Sequence, residues 1–449
     1  MKNQLTLEAF GAAGEVGRSC FVLKDKDRSI ALDCGIMLRP KHPSLAPKGV
    51  DPIAHTIDAV VLSHAHIDHS GYIPALYHNG FEGEIHTTPP TIDITYVLWE
   101  DHLKIEGERH WTAEDMENAL FVGHLYKKKF KIVDGVYVTF YQAGHILGAA
   151  QTLIDWDGQL ILYTGDINDK VTPLFDGFEI PDKEPIDVVI TEATNGVRPI
   201  PPREKVSKDF KNAVKGAVKR KAKVITPSFA IGRSQELEIV LGDFLDEKVP
   251  VYIDGMIRKM NAITNYYIRP EWVSSRVFRY LRKHGLSNPF DRENFIEISR
   301  ENVNNPFHFR RMLGKTDKPA VILSTSGMME GGPIHTHLEV HGEKPENILA
   351  ICGYQAEGTL GREILEGKRK IVVNEFIGKP TKINLQANVE TFRFSGHTDI
   401  NGIKKLIGET KPKKIVIVHS EHEEALKVAQ VLTNGVTPVL AEQKQLIPL

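Results

Sequence analysis

The sequence predicts an α/β protein in which a strand-rich chain is interrupted by a long stretch of alternating helices and strands. Three observations carry this. Short segments rich in β-branched and apolar residues, bounded by Gly, Asp or Pro, recur from Gln4 to Glu192. From about Lys205 the texture changes to alternating helix and strand units, as in a parallel sheet with crossover helices. After Lys370 the strand pattern returns.

In chain order, strands are expected at Gln4–Phe10, Ser29–Cys34, Ile57–Ser63, Glu84–Thr88, Gly135–Gln142, Thr152–Trp156, Gln159–Thr164 and Ile186–Glu192. Several end at a His, Asp or Glu. Thr91–Lys104 and Ala113–Tyr126 read as helices, with Thr112 as N-cap of the second. The Pro-rich run Arg198–Arg203 reads as a linker. Beyond it come helix Ser207–Arg220, strand Lys223–Pro227, helix Arg233–Phe244, and strands Val249–Ile253, Ala320–Ser324 and Ile348–Gly353. The last part holds strands Lys370–Phe376, Glu390–Ser395 and Lys414–His419, with helices at Ile400–Leu406 and Glu423–Leu432. The turn Gly11–Gly17 is glycine-rich, but its spacing matches no nucleotide-binding fingerprint, so it is expected to be a tight turn.

The composition is that of a globular chain: 449 residues, 41% hydrophobic and 25% charged. No apolar run approaches bilayer-spanning length and the first residues lack a signal-peptide stretch, which predicts a cytoplasmic protein with no membrane partner. Three widely spaced cysteines form no thiolate metal motif, so any metal must sit on His and carboxylates. The net charge of -2 hides an asymmetry, with 30 Lys+Arg against 21 Asp+Glu between Val197 and Lys370, and 26 against 37 elsewhere. Two basic clusters stand out, Lys208 to Lys223 and Arg276 to Lys283. Each alone fits a solvated helix face; beside a metal site the surplus fits a phosphate backbone.

His64-Ala65-His66-Ile67-Asp68-His69 follows the apolar run Ala59–Leu62 and puts three imidazoles and a carboxylate at one strand end, a donor mixture suited to zinc. His145, Asp166 and His419 also end apolar segments. His335 and His337 form another His-x-His, but no carboxylate pattern accompanies them and loop positions are expected. Ser324–Gly332 offers backbone N–H groups to a phosphate or is simply a tight turn.

Together these motifs resemble the metallo-β-lactamase superfamily, and within it the β-CASP nucleases, especially the archaeal and eukaryotic relatives of the cleavage and polyadenylation specificity factor endonuclease. Further residues carrying the resemblance are Gly14–Cys20, Ala143–Ala149, Tyr163–Asp166, Gly232–Glu236, Gly327–Met329, Glu357–Leu360 and Ser395–Asp399. Thr191–Gly196, Gly396 and His419-Ser420-Glu421 depart from the usual motifs without removing a ligand. The resemblance implies an αββα sandwich from residues 1–196 and 371–449, with a β-CASP parallel α/β domain at 197–370 inserted and RNA bound between them. It also implies a short form without the KH-type extension, and a homodimer.

By the same resemblance, His64, His66 and His145 would hold one zinc ion, Asp68, His69 and His419 a second, and Asp166 would bridge them. Two such ions lower the pKa of water and neutralise charge on phosphoryl oxygens. His397, oriented by Glu192, would act as general acid with Asp68 among the catalytic groups, while Asp33 would support the histidine loop. Arg233, Ser326 and Gly327 would bind substrate. The function implied is endonucleolytic RNA processing. Its competitors are a 5′-to-3′ exonuclease resembling ribonuclease J, a silent RNA-binding scaffold, and a thioester or lactam hydrolase.

Overall fold

The computed structural model describes residues 4–39, 42–181, 185–374, 379–432 and 435–449. The chain divides into two compact units: Met1–Lys170 with Asp176–Pro199 and His397–Leu449, and Val171–Phe175 with Ile200–Gly396.

In the first unit, period-two alternation decides the architecture. Phe21 and Leu23 enter one core, whereas Cys20 and Val22, their neighbours on the strand Cys20–Lys24, enter another. Ile30 and Leu32 divide from Ala31 in the same way on Ser29–Cys34, until Asp33 at φ +57 breaks the alternation and sends Cys34 to the core of Ala31. A strand apolar on both faces must be covered on both. This sheet has seven strands, ordered Leu446–Pro448, Thr6–Gly11, Cys20–Lys24, Ser29–Cys34, Ala59–Val61, Glu84–Thr87 and Phe121–Gly123. Helices Ile73–His78 and Pro89–Glu106 cover its outer face through Ile73, Leu76 and Trp99.

Its inner face meets a second seven-stranded sheet, ordered Val439–Leu440, Lys414–Val418, Val188–Glu192, Gln159–Tyr163, Ala150–Trp156, Val136–Gln142 and Lys129–Val133. Val138, Phe140, Ile154, Ile161, Tyr163, Ile190 and Val416 fill the space between the sheets, each large side chain contributing roughly 1.5–3 kcal/mol. Helix His422–Val431 packs on the strands Lys414–Val418 and Val439–Leu440. The result is the expected αββα sandwich. Chain ends meet inside it: Leu446–Pro448 pairs with Thr6–Gly11, and Lys414–Val418 runs parallel to Val188–Glu192.

The second unit is built on a six-stranded parallel sheet, ordered Phe295–Ile298, Val251–Asp254, Ala320–Ser324, Lys223–Pro227, Ile348–Ile351 and Asn388–Thr391. Val224, Val321 and Leu323 face one core with Phe210 and Leu241 from helices Arg203–Lys219 and Arg233–Phe244. Ile225 and Ile322 face the other with Ile334 and Leu338 from helix Pro333–His341.

Several elements differ from expectation. Within Ala113–Tyr126 the helix covers Ala113–Glu117, while Phe121–Gly123 is an edge strand beside Glu84–Thr87. A Thr112/Asp115 capping box starts that helix, but Phe121 finds Tyr96 and Trp99 at 5.3 and 5.5 Å, and tertiary packing outweighs helix propensity there. The expected strand Glu390–Ser395 lies at Asn388–Thr391, because Phe392 and Phe394 turn onto Phe210. His335 and His337 sit buried on a helix, not in a loop. Strand Lys370–Val373 is present; Glu375 and Phe376 lie outside the described residues. Strand Cys20–Lys24 and helices Ile257–Tyr266 and Ser275–His284 were not anticipated. Among the described residues no helix is long and apolar enough to cross a membrane.

Candidate active site

The first unit gathers the strand-end residues. Ala59–Val61 runs out into Leu62-Ser63, and the chain then lays His64 to His69 against the turn after Ser29–Cys34. Gly35 permits that approach, since a Cβ there would lie 1.9 Å from the Asp68 carbonyl oxygen. Gly144, at φ +73, does the same for His145: a Cβ would meet the Asn168 carbonyl oxygen at 2.5 Å, and the backbone conformation itself suits glycine.

Four side chains converge first. His66 Nδ1 is 3.1 Å from both His64 Nε2 and His145 Nε2, and Asp166 Oδ2 is 3.5 Å from His64 Nε2 and 3.7 Å from His145 Nε2. A second group shares the carboxylate: His69 Nε2 is 3.4 Å from Asp166 Oδ2 and His419 Nδ1 is 3.2 Å from Asp166 Oδ1. Asp68 Oδ2 completes it, 3.4 Å from His419 Nε2. The two sets, His64/His66/His145/Asp166 and Asp68/His69/His419, each present their donor atoms within 4.8 Å of one another.

These sets fit metal ions. Donors bound at roughly 2.0–2.2 Å about a tetrahedral ion lie about 3.3–3.6 Å apart, close to the 3.1–3.7 Å spacings around Asp166 and His66. Buried Asp166 Oδ1 and His419 Nε2 make no hydrogen bond, although burial normally demands one. Charge agrees. Burial pushes His64 well below the usual imidazole range and His66 down to about 4, keeping both neutral with a lone pair to give. Burial also opposes charge on His69 and His419, yet Asp166 and Asp68 outweigh it, driving His69 well up and His419 up to about 10. The carboxylates thus call for positive charge, which divalent ions would supply.

Glu192 ends a strand beside Val418, the residue before His419. Its oxygens lie 3.1 and 3.0 Å from His397 Nδ1, and Oε1 also accepts the Ile167 N–H at 2.8 Å. Asp33 is fully buried. It accepts hydrogen bonds from Ser63 N, Ser63 Oγ and Tyr163 Oη at 2.7, 2.7 and 2.6 Å, and holds His69 Nδ1 at 2.7 Å.

Sequence reasoning passed over three supports of this centre. Tyr163 donates to Asp33, Thr194 Oγ1 lies 3.2 Å from His419 Nδ1, and the Ala12 carbonyl accepts the His419 N–H at 2.7 Å. Tyr163 and Thr194 each stand within two or three residues of a singled-out acid, the one signal that could have flagged them. Arg233, Ser326 and Gly327 belong to the second unit. They follow the adjacent parallel strands Lys223–Pro227 and Ala320–Ser324; Arg233 pairs with Glu236, Ser326 Oγ accepts the Glu330 N–H, and the Gly327 carbonyl accepts from Gln355. His335 and His337 are committed inside that unit, to the Met329 carbonyl at 2.7 Å and Asp254 Oδ2 at 2.8 Å.

Three family models match in order along the chain: a Metallo-beta-lactamase superfamily domain at residues 22–194, a Beta-Casp domain at 234–364, and a Zn-dependent metallo-hydrolase RNA specificity domain at 382–441. The chain belongs to the β-CASP family of metallo-β-lactamase-fold hydrolases. It is 32% identical over 444 residues to the Transcription termination factor FttA of Methanosarcina mazei, covering 94% of this chain and 68% of that protein. It is likewise 32% identical over 436 residues to an RNase J-like protein of Methanocaldococcus jannaschii, covering 95% of each. A solved protein of unknown function from Enterococcus faecalis V583 superposes at TM-score 0.58 with 14% identity, over 99% of this chain and all of that one, and shares the fold of this β-CASP protein.

Proposed function

We propose that this β-CASP protein is a two-zinc ribonuclease that hydrolyses RNA phosphodiester bonds endonucleolytically, in RNA 3′-end maturation or decay. The observation that carries this is the sharing of Asp166 by both sets of imidazoles, with Oδ2 3.5 Å from His64 and 3.4 Å from His69. His64, His66 and His145 are assigned to one ion, Asp68, His69 and His419 to the other, and Asp166 to both. Bound zinc would supply an activated water near neutral pH and neutralise charge on the phosphoryl oxygens. Glu192 fixes the His397 ring by its Nδ1, so Nε2 is the atom that would deliver a proton to the departing 3′-oxygen. Arg233, Ser326 and Gly327, at the carboxyl ends of adjacent parallel strands, are assigned to RNA phosphates. Similarity to proteins named transcription termination factors fits cutting of nascent RNA.

A second reading, 5′-to-3′ exonucleolytic digestion, is favoured by the RNase J-like relative that matches along 95% of both chains. One experiment separates them: zinc content and cleavage are measured together on 5′-monophosphorylated linear RNA and on circular RNA. Cutting of the circle, lost on chelation or in Asp68→Ala, is expected. A product ladder from the 5′ end with an intact circle would establish the exonuclease instead. RNA binding without cutting by the zinc-loaded wild type would leave a scaffold.

A further inference from the structure

The two basic clusters meet at one cleft of about 730 Å³ that lies wholly within the second unit. On helix Arg203–Lys219 the lining cations are Lys208, Lys211 and Lys215; on helix Ser275–His284 they are Arg276, Arg279 and Lys283. Both triplets follow the spacing i, i+3, i+7, which keeps three side chains on one helix face, successive Cβ atoms roughly 5–6 Å apart. The opposite faces carry the core residues Val206, Phe210 and Val214, and Val277 and Leu281. Each helix therefore spends its apolar stripe inward and lends a row of cations to the same cavity.

Specific contacts order the cleft walls. Asp243 takes Lys283 Nζ at 2.5 Å and Lys211 Nζ at 3.6 Å. The Lys211 and Lys215 ammonium groups both stand 5.5 Å from the Phe244 ring centroid, a placement that stabilises cations without neutralising them. The segment Val171–Pro173 lines one side, secured by the hydrogen bond from Ser274 N to the Leu174 carbonyl at 2.7 Å. Glu204 and Asp243 are the acids among the lining residues; Arg203 is engaged by Glu236 at 3.2 Å, and the six cations of the two helix rows still outnumber the acids. Such an excess within one concave surface focuses a positive field. Tyr280 is the aromatic residue among them and is 7% exposed, so bases would find little ring surface to stack on.

We propose that this cleft is a second RNA contact, gripping the sugar–phosphate backbone of a single strand without regard to base. The proposal rests on the ribonuclease reading for the identity of its ligand, but none of its residues belongs to the metal-ligand sets. Charge complementarity selects phosphates, and two rows of cations suit a ligand carrying phosphates in series.

The test measures binding of labelled oligo(U) and oligo(A) RNA to the full chain in EDTA across a salt series. It compares wild type, Lys208→Gln/Arg279→Gln, and a control of equal charge loss outside the cleft, Lys248→Gln/Lys315→Gln. The cleft pair is expected to weaken both RNAs alike, on the order of tenfold, and to flatten the slope of log K against log salt by about 1.4, the loss of two single-strand phosphate contacts. Lys208→Arg/Arg279→Lys, which keeps both charges, is expected to bind as wild type does, which separates charge loss from misfolding. Unchanged affinity in the cleft pair, or an equal loss in the control pair, would overturn the proposal. So would tight binding of inositol hexakisphosphate that the cleft pair abolishes while RNA affinity stays put; that result would define a pocket for a compact polyphosphate. Hydrolysis of bis(p-nitrophenyl) phosphate by the zinc-loaded wild type reports the metal centre separately. Hydrolysis with RNA affinity indifferent to the cleft sinks this proposal alone, whereas affinity that depends on the cleft without any hydrolysis sinks the ribonuclease reading alone.

Discussion

Asp33 is the residue on which the histidine loop turns. Its two oxygens serve Ser63 twice, Tyr163 and His69, all within 2.6–2.7 Å and without solvent. Asp33→Asn would set an amide group against at least one of those donors. Unfolding in urea should show a loss of about 1–3 kcal/mol, and zinc titration a weakening of roughly 10–100-fold. Unaltered zinc affinity would mean that His69 is oriented by other contacts. Glu192→Gln acts at a different step, since it removes the charge that holds His397 Nδ1. Single-turnover cleavage should slow by roughly 10²–10⁴-fold, and an unchanged rate would remove His397 from the proton transfer.

Among the elements, the helix Arg233–Phe244 carries a buried cost. Glu238 is fully enclosed, with Oε2 accepting from Asn261 Nδ2 at 2.8 Å and Oε1 without a partner. Burial, reinforced by Glu297, raises its pKa well above the ordinary 4.5. A raised carboxyl pKa contributes stability in acid that is lost as pH climbs from the unfolded value through the folded one. Glu238→Gln keeps an acceptor for Asn261 and removes the titration. Melting followed upward from pH 5 should show the wild type losing stability as pH rises, at no more than about 1.4 kcal/mol per pH unit, and the variant should lack that fall. Parallel curves for the two proteins would place the charge elsewhere. On the neighbouring helix, Phe210 is fully buried and meets Phe392 and Phe394 edge-on at 5.3 and 5.8 Å. Phe210→Ala should cost the second unit roughly 3–5 kcal/mol in denaturant.

At the scale of the whole molecule, the seven proposed ligands stretch from His64 to His419, yet all belong to the first unit. Chelation should therefore lower the calorimetric transition of that unit, by about 2.7 kcal/mol if zinc had been present at a hundred times its Kd, and leave the transition of the second unit in place. A uniform shift of both would show that the two unfold together. Much of this was legible in the sequence because it is local. Short apolar strands such as Ser29–Cys34 and the cluster His64–His69 declare themselves within a few residues, and the strands Lys223–Pro227 and Ala320–Ser324 occur where their composition puts them. What is not local was not legible. The edge strand Phe121–Gly123 exists because Glu84–Thr87 offers it hydrogen bonds, and Tyr163 touches Asp33 across 130 positions of chain. The meeting of Lys208 with Arg279 at one cleft is of the same kind. Side-chain chemistry and short-range periodicity are written into neighbouring residues, whereas which distant segments share a wall is settled by the burial of faces that only the folded chain brings together.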